Sequence, residues 1–169
     1  MKLDEFLVVN RIPELDWKAA SIEWSTLQAI GSNYENQLDK LRQAAAFFSN
    51  AIQNIDTVHS VRWRLKGTQN LLAKIVRKRA QQSPKYADIS QENYSAIVTD
   101  LVGIRALHLF KTECVDIVGK LKEMWPPLET PIAYTRNGDS TAIGKLFEAN
   151  GFDVREHPSG YRSVHYVFK

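Results

Sequence analysis

The sequence lacks the features that mark several large classes of protein. It has one cysteine, Cys114, which excludes an internal disulfide framework. No apolar run approaches the length that a helix needs to cross a bilayer. The first residues, MKLDEFLVVNRIPELD, do not have the pattern of a secretory signal. These absences favour a globular protein with no membrane partner, for which the cytoplasm is the default location.

Two glycine-rich phosphate-binding patterns are also missing. The chain has neither G-x-x-x-x-G-K-[ST] nor G-x-G-x-x-G, so a glycine-rich phosphate loop is not indicated. Acidic residues are absent from residues 62–85, a stretch that contains eight Lys or Arg residues. Such a basic block suits the phosphates of a nucleotide or a nucleic acid, and it equally suits a solvated helix face. Charge alone leaves both interpretations open.

The order of predicted elements indicates the α+β class. With 169 residues, 44% of them hydrophobic, the chain is long enough for a domain with a substantial core. Apolar residues recur every three or four positions from Leu27 to Ile55, which predicts an N-terminal helical segment over residues 1–56. Strands and helices then alternate over residues 57–169. We expect one mixed β-sheet flanked by helices, with the N-terminal helices packed on it.

The motif-bearing segments can be placed on these elements. TVHSVRWRLK predicts a strand, and Thr68 is a candidate cap for the helix that follows. LVGIRALHLF has the composition of a buried central strand, and TPIAYTR, FDVRE and YRSVHYVF predict the remaining strands. Asp139 is a candidate helix cap and Gly151 a helix end. Cys114 lies on a predicted helix, where a small buried apolar residue is expected.

Basic residues form the first candidate cluster. Arg64 and Lys66 alternate along a strand and therefore share a face, and Lys74 lies almost two turns into the next helix. Together they could bracket a polyphosphate, because guanidinium groups stack and ammonium groups act as point charges on phosphate. Taken separately, each is more often a surface cation.

Asp100 is the second candidate. It stands at the entry of the apolar strand LVGIRALHLF, where a carboxylate is either a turn residue or a ligand of Mg²⁺. Magnesium needs only one or two protein carboxylates, because phosphate oxygens and water fill its other positions. For a lone aspartate the turn interpretation is favoured.

The third candidate cluster is the C-terminal stretch SGYRSVHYVF. Tyr161, Ser163 and His165 alternate and share one face, while Gly160 allows close approach of the backbone to a ligand. A tyrosine ring suits stacking on a base, and a histidine suits a phosphate or hydroxyl. The simpler interpretation is a half-exposed strand with a polar outer face.

The three clusters together resemble the synthetase domain of the RelA/SpoT family, the (p)ppGpp alarmone synthetases. RWRLKGTQNLLAKIVRK is similar to the family's R-x-K motif with its second lysine, TDLVGIRAL to D-L-x-G-x-R, and SGYRSVHYVF to G-Y-[RQ]-S-x-H. The motifs occur in the family's order, and the resemblance covers residues 30–169. It implies a nucleotidyltransferase-like fold and transfer of pyrophosphate from ATP to the 3′-hydroxyl of GDP or GTP.

The resemblance also implies roles for individual residues. Arg64 would stack on adenine, Lys66 and Lys74 would bind the ATP phosphates, and Asp100 would hold Mg²⁺ as a catalytic residue. Three residues would bind the acceptor. Tyr161 would stack on its guanine, Arg162 would support this contact, and His165 would both bind the acceptor and take part in catalysis. Arg105 would support the site.

Two departures from the family pattern keep alternatives open. His157 and Ser159 stand where many members have lysine and asparagine, so the acceptor could instead be the 3′ end of tRNA, as in toxin-like members. The chain also stops at Lys169, before the family's E-x-Q strand, which predicts an incomplete domain with little activity of its own. A catalytically silent nucleotide-binding module is the remaining alternative. The oligomeric state stays open, a homo-oligomer included.

Overall fold

The structure, a computed structural model, describes residues 2–168 and belongs to the α+β class. The helices are α1 (Leu3–Val9), α2 (Glu14–Ala20), α3 (Trp24–Gln53), α4 (Thr68–Ala80), α5 (Tyr94–Ile97), α6 (Glu113–Met124) and α7 (Thr141–Ala149). The strands are β1 (Ser60–Leu65), β2 (Val102–Leu107), β3 (Ile132–Thr135), β4 (Asp153–Glu156) and β5 (Ser163–His165). The predicted class is confirmed. No helix within residues 2–168 has the length and apolarity to span a bilayer.

The strands of residues 2–168 form two sheets rather than the single mixed sheet predicted. β1 pairs with β2 in one, and the other has the order β4-β3-β5. β3 runs parallel to β4 and antiparallel to β5, so the three-stranded sheet is mixed. LVGIRALHLF is not a buried central strand, because β2 has β1 as its neighbour and Leu107, Leu109 and Phe110 are exposed. Strand pairing is a long-range property, and an apolar run does not encode it.

Residue contacts divide the chain into two compact units. The first consists of Met1–Phe48 and Trp63–Ile104, and the second of Ser49–Arg62 and Arg105–Lys169. The predicted division into a helical segment over residues 1–56 and a core over residues 57–169 stays a prediction.

Periodic apolar residues of α3 and α4 build the core of the first unit. Leu27, Ile30 and Tyr34 of α3 are fully buried, as are Leu71 and Ile75 of α4. Their spacing places them on one stripe of each helix, which buries that stripe and leaves the other faces for polar residues. α4 begins at Thr68, and the capping position is held by Gly67 without a side-chain bond rather than by Thr68.

The core of the second unit is smaller. Cys114, Val118, Ala133, Phe147 and Phe152 form it. Cys114 is buried, as predicted, and this burial raises the pKa of its thiol to about 11. Gly151 ends α7 with a positive φ of 76°, as predicted, and the Phe152 amide bonds the Phe147 carbonyl at 3.1 Å.

Candidate functional site

A cavity of about 450 Å³ opens in the first unit. Its walls come from the end of β1, the polar face of α4 and the turn before β2. They carry five cationic side chains and one carboxylate. The lining residues are Arg64, Leu65, Lys66, Gly67, Asn70, Lys74, Arg77, Lys78, Gln81, Asp100 and Gly103. The excess of positive charge in a concave site favours a multiply charged anion.

Backbone hydrogen bonds place Lys66 beside Asp100. The Lys66 amide donates to the Leu101 carbonyl at 2.9 Å, which continues the pairing of β1 and β2 by one residue. The buried hydroxyl of Tyr34 donates to the Lys66 carbonyl at 2.6 Å. Both backbone polar groups of Lys66 are therefore fixed, and its side chain starts from a defined position.

Asp100 bridges two lysines. Lys66 Nζ lies 2.9 Å from Asp100 Oδ2, and Lys74 Nζ lies 2.9 Å from Asp100 Oδ1. Each carboxylate oxygen thus has its own ammonium donor. The lysine side chains are 17% and 27% exposed and that of Asp100 is 48% exposed, so the bridge borders solvent. Asp100 also lies in the turn before β2, which confirms the turn interpretation without removing the aspartate from the cavity.

The two lysines control the charge of this carboxylate. Burial alone would raise the pKa of Asp100, but the hydrogen bonds and charges of Lys66 and Lys74 outweigh it and hold the pKa below its ordinary value. Burial raises the pKa of the nearby Tyr86 hydroxyl, and Lys74 opposes that shift. Asp100 is therefore a carboxylate at neutral pH.

Arg64 forms a further part of the wall. Its side chain is exposed, and an added Cβ at Gly103 would lie 3.7 Å from Arg64 Cγ. Arg64 therefore runs alongside the β2 backbone at Gly103. Of the residues predicted from the sequence, the first unit brings together Arg64, Lys66, Lys74 and Asp100.

Sequence reasoning missed four polar cavity residues, three in α4 and one at its C-terminal cap. They are Asn70, Arg77, Lys78 and Gln81. Relative to Lys74 they lie four residues before and three, four and seven residues after it, which is the spacing of one helix face. That periodicity is visible in the sequence and could have been used. Tyr34 was missed as well, because nothing local links it to Lys66.

The remaining predicted residues belong to the second unit. Arg162 makes a two-pronged contact with Asp139, with Nε 2.8 Å from Oδ2 and Nη2 2.6 Å from Oδ1. Lys111 Nζ lies 2.8 Å from Oδ1, and the Arg136 amide donates to Oδ2 at 3.1 Å. These cations, Arg162 first, hold the pKa of Asp139 far below its ordinary value.

Asp139 is therefore not the predicted helix cap. Ser140 holds that position, and its hydroxyl accepts a hydrogen bond from the Ala142 amide. Asp139 instead ties the loop before α7 to the segment before β5 through Arg162. Both aspartate and serine are good capping residues, so their local preference could not separate them.

Tyr161 and His165 lie near an aromatic cluster on the three-stranded sheet. The Tyr134 ring centroid is 4.9 Å from that of His165 and 5.2 Å from that of His157. His157 in turn lies 5.8 Å from Tyr161. Tyr161 precedes β5 and is 47% exposed. The opposite face of the sheet carries Ala133 and Val164 toward the core of the second unit.

Few side chains are placed to bind a metal ion. Residues 2–168 contain no group of three or more His, Cys, Asp or Glu side chains arranged to hold a metal ion. In the cavity, Asp100 would be the protein ligand, with phosphate oxygens and water completing a magnesium shell.

Comparisons with protein-family models, with curated proteins and with solved structures find no match to this chain.

Proposed function

We propose that the cavity binds the polyphosphate of ATP and that the protein is a pyrophosphokinase of the RelA/SpoT type. One observation carries the proposal. Lys66 and Lys74 come from one of the motifs quoted above and Asp100 from another, and each lysine Nζ lies 2.9 Å from an oxygen of Asp100 in one cationic cavity. A chance placement of surface cations gives no reason for this convergence.

The residues have distinct tasks in the proposed reaction. Lys66 and Lys74 bind phosphate oxygens, and Arg64 offers a planar group for stacking on adenine. The 3′-hydroxyl oxygen of the acceptor attacks the β-phosphorus of ATP and gives up its proton to water. The bond between the β-phosphorus and the oxygen that bridges it to the α-phosphorus breaks, and AMP leaves with that oxygen. Positioning and neutralisation of charge dominate such transfers. Asp100 would hold Mg²⁺, which supplies further neutralisation on the phosphate oxygens.

As the family resemblance implies, Tyr161, Arg162 and His165 are the residues proposed to bind the acceptor. Tyr161 has the exposure needed to stack on guanine, and His165 lies on the same polar sheet face as Tyr134. Arg162 supports this segment through Asp139. GDP or GTP is the proposed acceptor, and the 3′ end of tRNA is the alternative that an acceptor assay decides.

Calorimetric titration of the chain with ATP and Mg²⁺ tests the donor half of the proposal. We expect saturable binding that Lys66→Ala and Lys74→Ala each weaken about tenfold or more, because a hydrogen bond to a charged group contributes about 1.5–3 kcal/mol. Lys85→Ala is the matched control, since Lys85 is exposed and lies outside the cavity. Equal losses in all three variants would refute the site.

Transfer is tested with labelled ATP and with GDP, GTP or tRNA in turn, using a chain that contains these 169 residues. Formation of a labelled 3′-pyrophosphorylated product that Asp100→Ala abolishes would support the enzyme. Transfer that survives Asp100→Ala and Tyr161→Ala would overturn the assigned roles.

A silent nucleotide-binding module is the second candidate. The observation in its favour is that each oxygen of Asp100 is paired with a lysine ammonium, and these positive charges oppose the approach of a metal cation. This candidate expects ATP affinity that does not depend on Mg²⁺. The enzyme expects ATP affinity to rise with Mg²⁺.

A further inference from the structure

Four side-chain rings of the second unit form a continuous row. In order along the row they are Tyr161, His157, Tyr134 and His165, with centroid separations of 5.8, 5.2 and 4.9 Å. Neighbouring rings meet at 70° or 81°, which is the edge-to-face arrangement that aromatic rings favour. The row therefore joins two rings that are proposed to bind the acceptor, Tyr161 and His165, through two rings that have no role in the proposed function.

The inner and outer rings of this row differ in exposure. Tyr134 and His157 are half-buried, whereas Tyr161 and His165 are exposed. An exposed side chain on its own samples several rotamers, and a packed neighbour reduces that freedom. Because each outer ring has an inner ring beside it, the inner pair limits the orientations that the outer pair can adopt.

The sheet fixes the position of Tyr134. This residue lies on β3, the central strand, where it pairs with Arg155 of β4 and with Ser163 of β5. Pairing on both sides holds the backbone of β3 at this point. The Tyr134 ring is therefore a defined point beside which the two histidine rings lie.

The loop after β4 fixes the position of His157. The His157 amide donates to the Thr135 carbonyl at 3.0 Å, and its Nδ1 accepts from the Ser159 amide at 3.3 Å and from the Ser159 hydroxyl at 2.9 Å. An amide can only donate, so Nδ1 is the accepting nitrogen and the proton of the neutral ring is on Nε2. The loop thus holds the neutral form of His157 in one tautomer, between two tyrosine rings.

We propose that Tyr134 and His157 are positioning residues for the acceptor, and that they hold Tyr161 and His165 at the separation which the acceptor nucleoside requires. The inner rings act through the outer ones, and a pair of contact groups that is fixed before binding costs less ordering when the ligand arrives. The inference rests on the proposed function, whose acceptor side it deepens. GDP, GTP and the 3′ end of tRNA share the relevant chemistry, a nucleoside with a free 3′-hydroxyl.

Calorimetric titration with GDP, GTP and tRNA in turn, using a chain that contains these 169 residues, tests the role of Tyr134. We expect Tyr134→Leu to weaken binding of the acceptor about tenfold, because it removes the ring beside both histidines. Tyr134→Phe keeps that ring and should keep the affinity within about twofold of the wild type.

His157 is tested by a matched pair of variants. His157→Asn has no aromatic ring and should weaken acceptor binding about three- to tenfold. His157→Phe keeps a ring but loses the bonds from Ser159, so its affinity should lie between those of His157→Asn and the wild type.

The NMR resonances of the His165 ring report the positioning in the absence of any ligand. An adjacent aromatic ring shifts such resonances, so Tyr134→Leu should move them and Tyr134→Phe should leave them nearly in place. Tyr166→Leu is the control, because Tyr166 is another half-buried tyrosine of the second unit, outside the row, whose hydroxyl donates to the Trp125 carbonyl at 2.6 Å. It should lower the melting temperature without changing acceptor affinity.

Three results would overturn the positioning role alone. They are acceptor binding that Tyr134→Leu leaves intact, equal losses in Tyr134→Leu and Tyr134→Phe, and an equal loss in the Tyr166→Leu control. Unmoved His165 resonances in Tyr134→Leu would contradict the row itself. A wild-type protein that binds none of the three acceptors would instead refute the acceptor side of the proposed function, and the positioning role with it.

Discussion

Asp100 in the first unit and Asp139 in the second are each held by two cationic side chains, yet the two contacts differ in kind. Asp100 is 48% exposed and meets two flexible ammonium groups at the edge of a cavity. Asp139 is 6% exposed and meets a two-pronged guanidinium, an ammonium and a backbone amide. An exposed pair exchanges partners at low cost, whereas a shielded, fully bonded carboxylate does not. The first is suited to ligand exchange and the second to holding a loop.

Loss of the cavity lysines should have the largest effect. We expect Lys66→Ala/Lys74→Ala to weaken tripolyphosphate binding about a hundredfold, because two charge-assisted bonds are removed. The measurement is isothermal titration. Lys111→Ala is the matched control, since Lys111 also lies 2.8 Å from an aspartate but belongs to the second unit. A similar loss in the control would erase the distinction between the two aspartates.

Neutralisation of Asp100 should have the opposite sign. Asp100→Asn releases both lysines and removes the negative charge from the cavity, so metal-free tripolyphosphate should bind about tenfold more tightly. With Mg²⁺ present the gain should shrink, because the carboxylate proposed to hold the ion is gone. Asp88→Asn, an exposed position outside the cavity, controls for total charge. Weaker binding by Asp100→Asn without metal would contradict the view that the ligand replaces Asp100 as the partner of the two lysines.

Neutralisation of Asp139 should act on stability instead. The folded protein holds the pKa of Asp139 below the unfolded value of about 3.9, so its contribution is present above that pH and is lost as the pH falls through the folded pKa. Asp139→Asn should lower the melting temperature at pH 7 and flatten its decline below pH about 4. Thermal melts over this range test both expectations. Asp100→Asn should lower the melting temperature less, because the bridge that Asp100 forms borders solvent.

The hydroxyl of Tyr34 should have the smallest effect on both properties. Tyr34→Phe removes the bond to the Lys66 carbonyl and should cost about 1 kcal/mol of unfolding free energy, with a few-fold loss of anion affinity. Urea denaturation and titration measure the two. Tyr94→Phe removes a hydroxyl bond to Asn33 in the same core, so it should cost similar stability without changing affinity.

The sequence predicted the parts that depend on neighbouring residues. The strand of Arg64, the helix of Lys74 and the turn of Asp100 follow from alternation, helical spacing and composition. That these three residues lie in one cavity was predicted from the order of the motifs and not from any local rule. The contact itself depends on the bond between Lys66 and Leu101, which joins residues far apart in the chain.

Other parts depend on pairings that no local pattern encodes. The strands could have formed one sheet, and the division into two depends on how distant segments pair. The guanidinium of Arg162 contacts Asp139, 23 residues earlier, and neither the motif nor local spacing predicted that contact. Gly67 rather than Thr68 precedes α4, a one-residue difference within the usual variation of helix ends.

The bond from the Lys66 amide to the Leu101 carbonyl determines which mutations the cavity can tolerate. It fixes the register of β1 against the turn that carries Asp100. The segment between α4 and β2 buries Tyr94 and Val98 in the core and supplies Asp100 and Leu101, so its path is constrained as well. A single deletion within β1 would turn Arg64 and Lys66 to the opposite face, because side chains alternate along a strand. The anion site is therefore intolerant of a one-residue frame change in a six-residue strand.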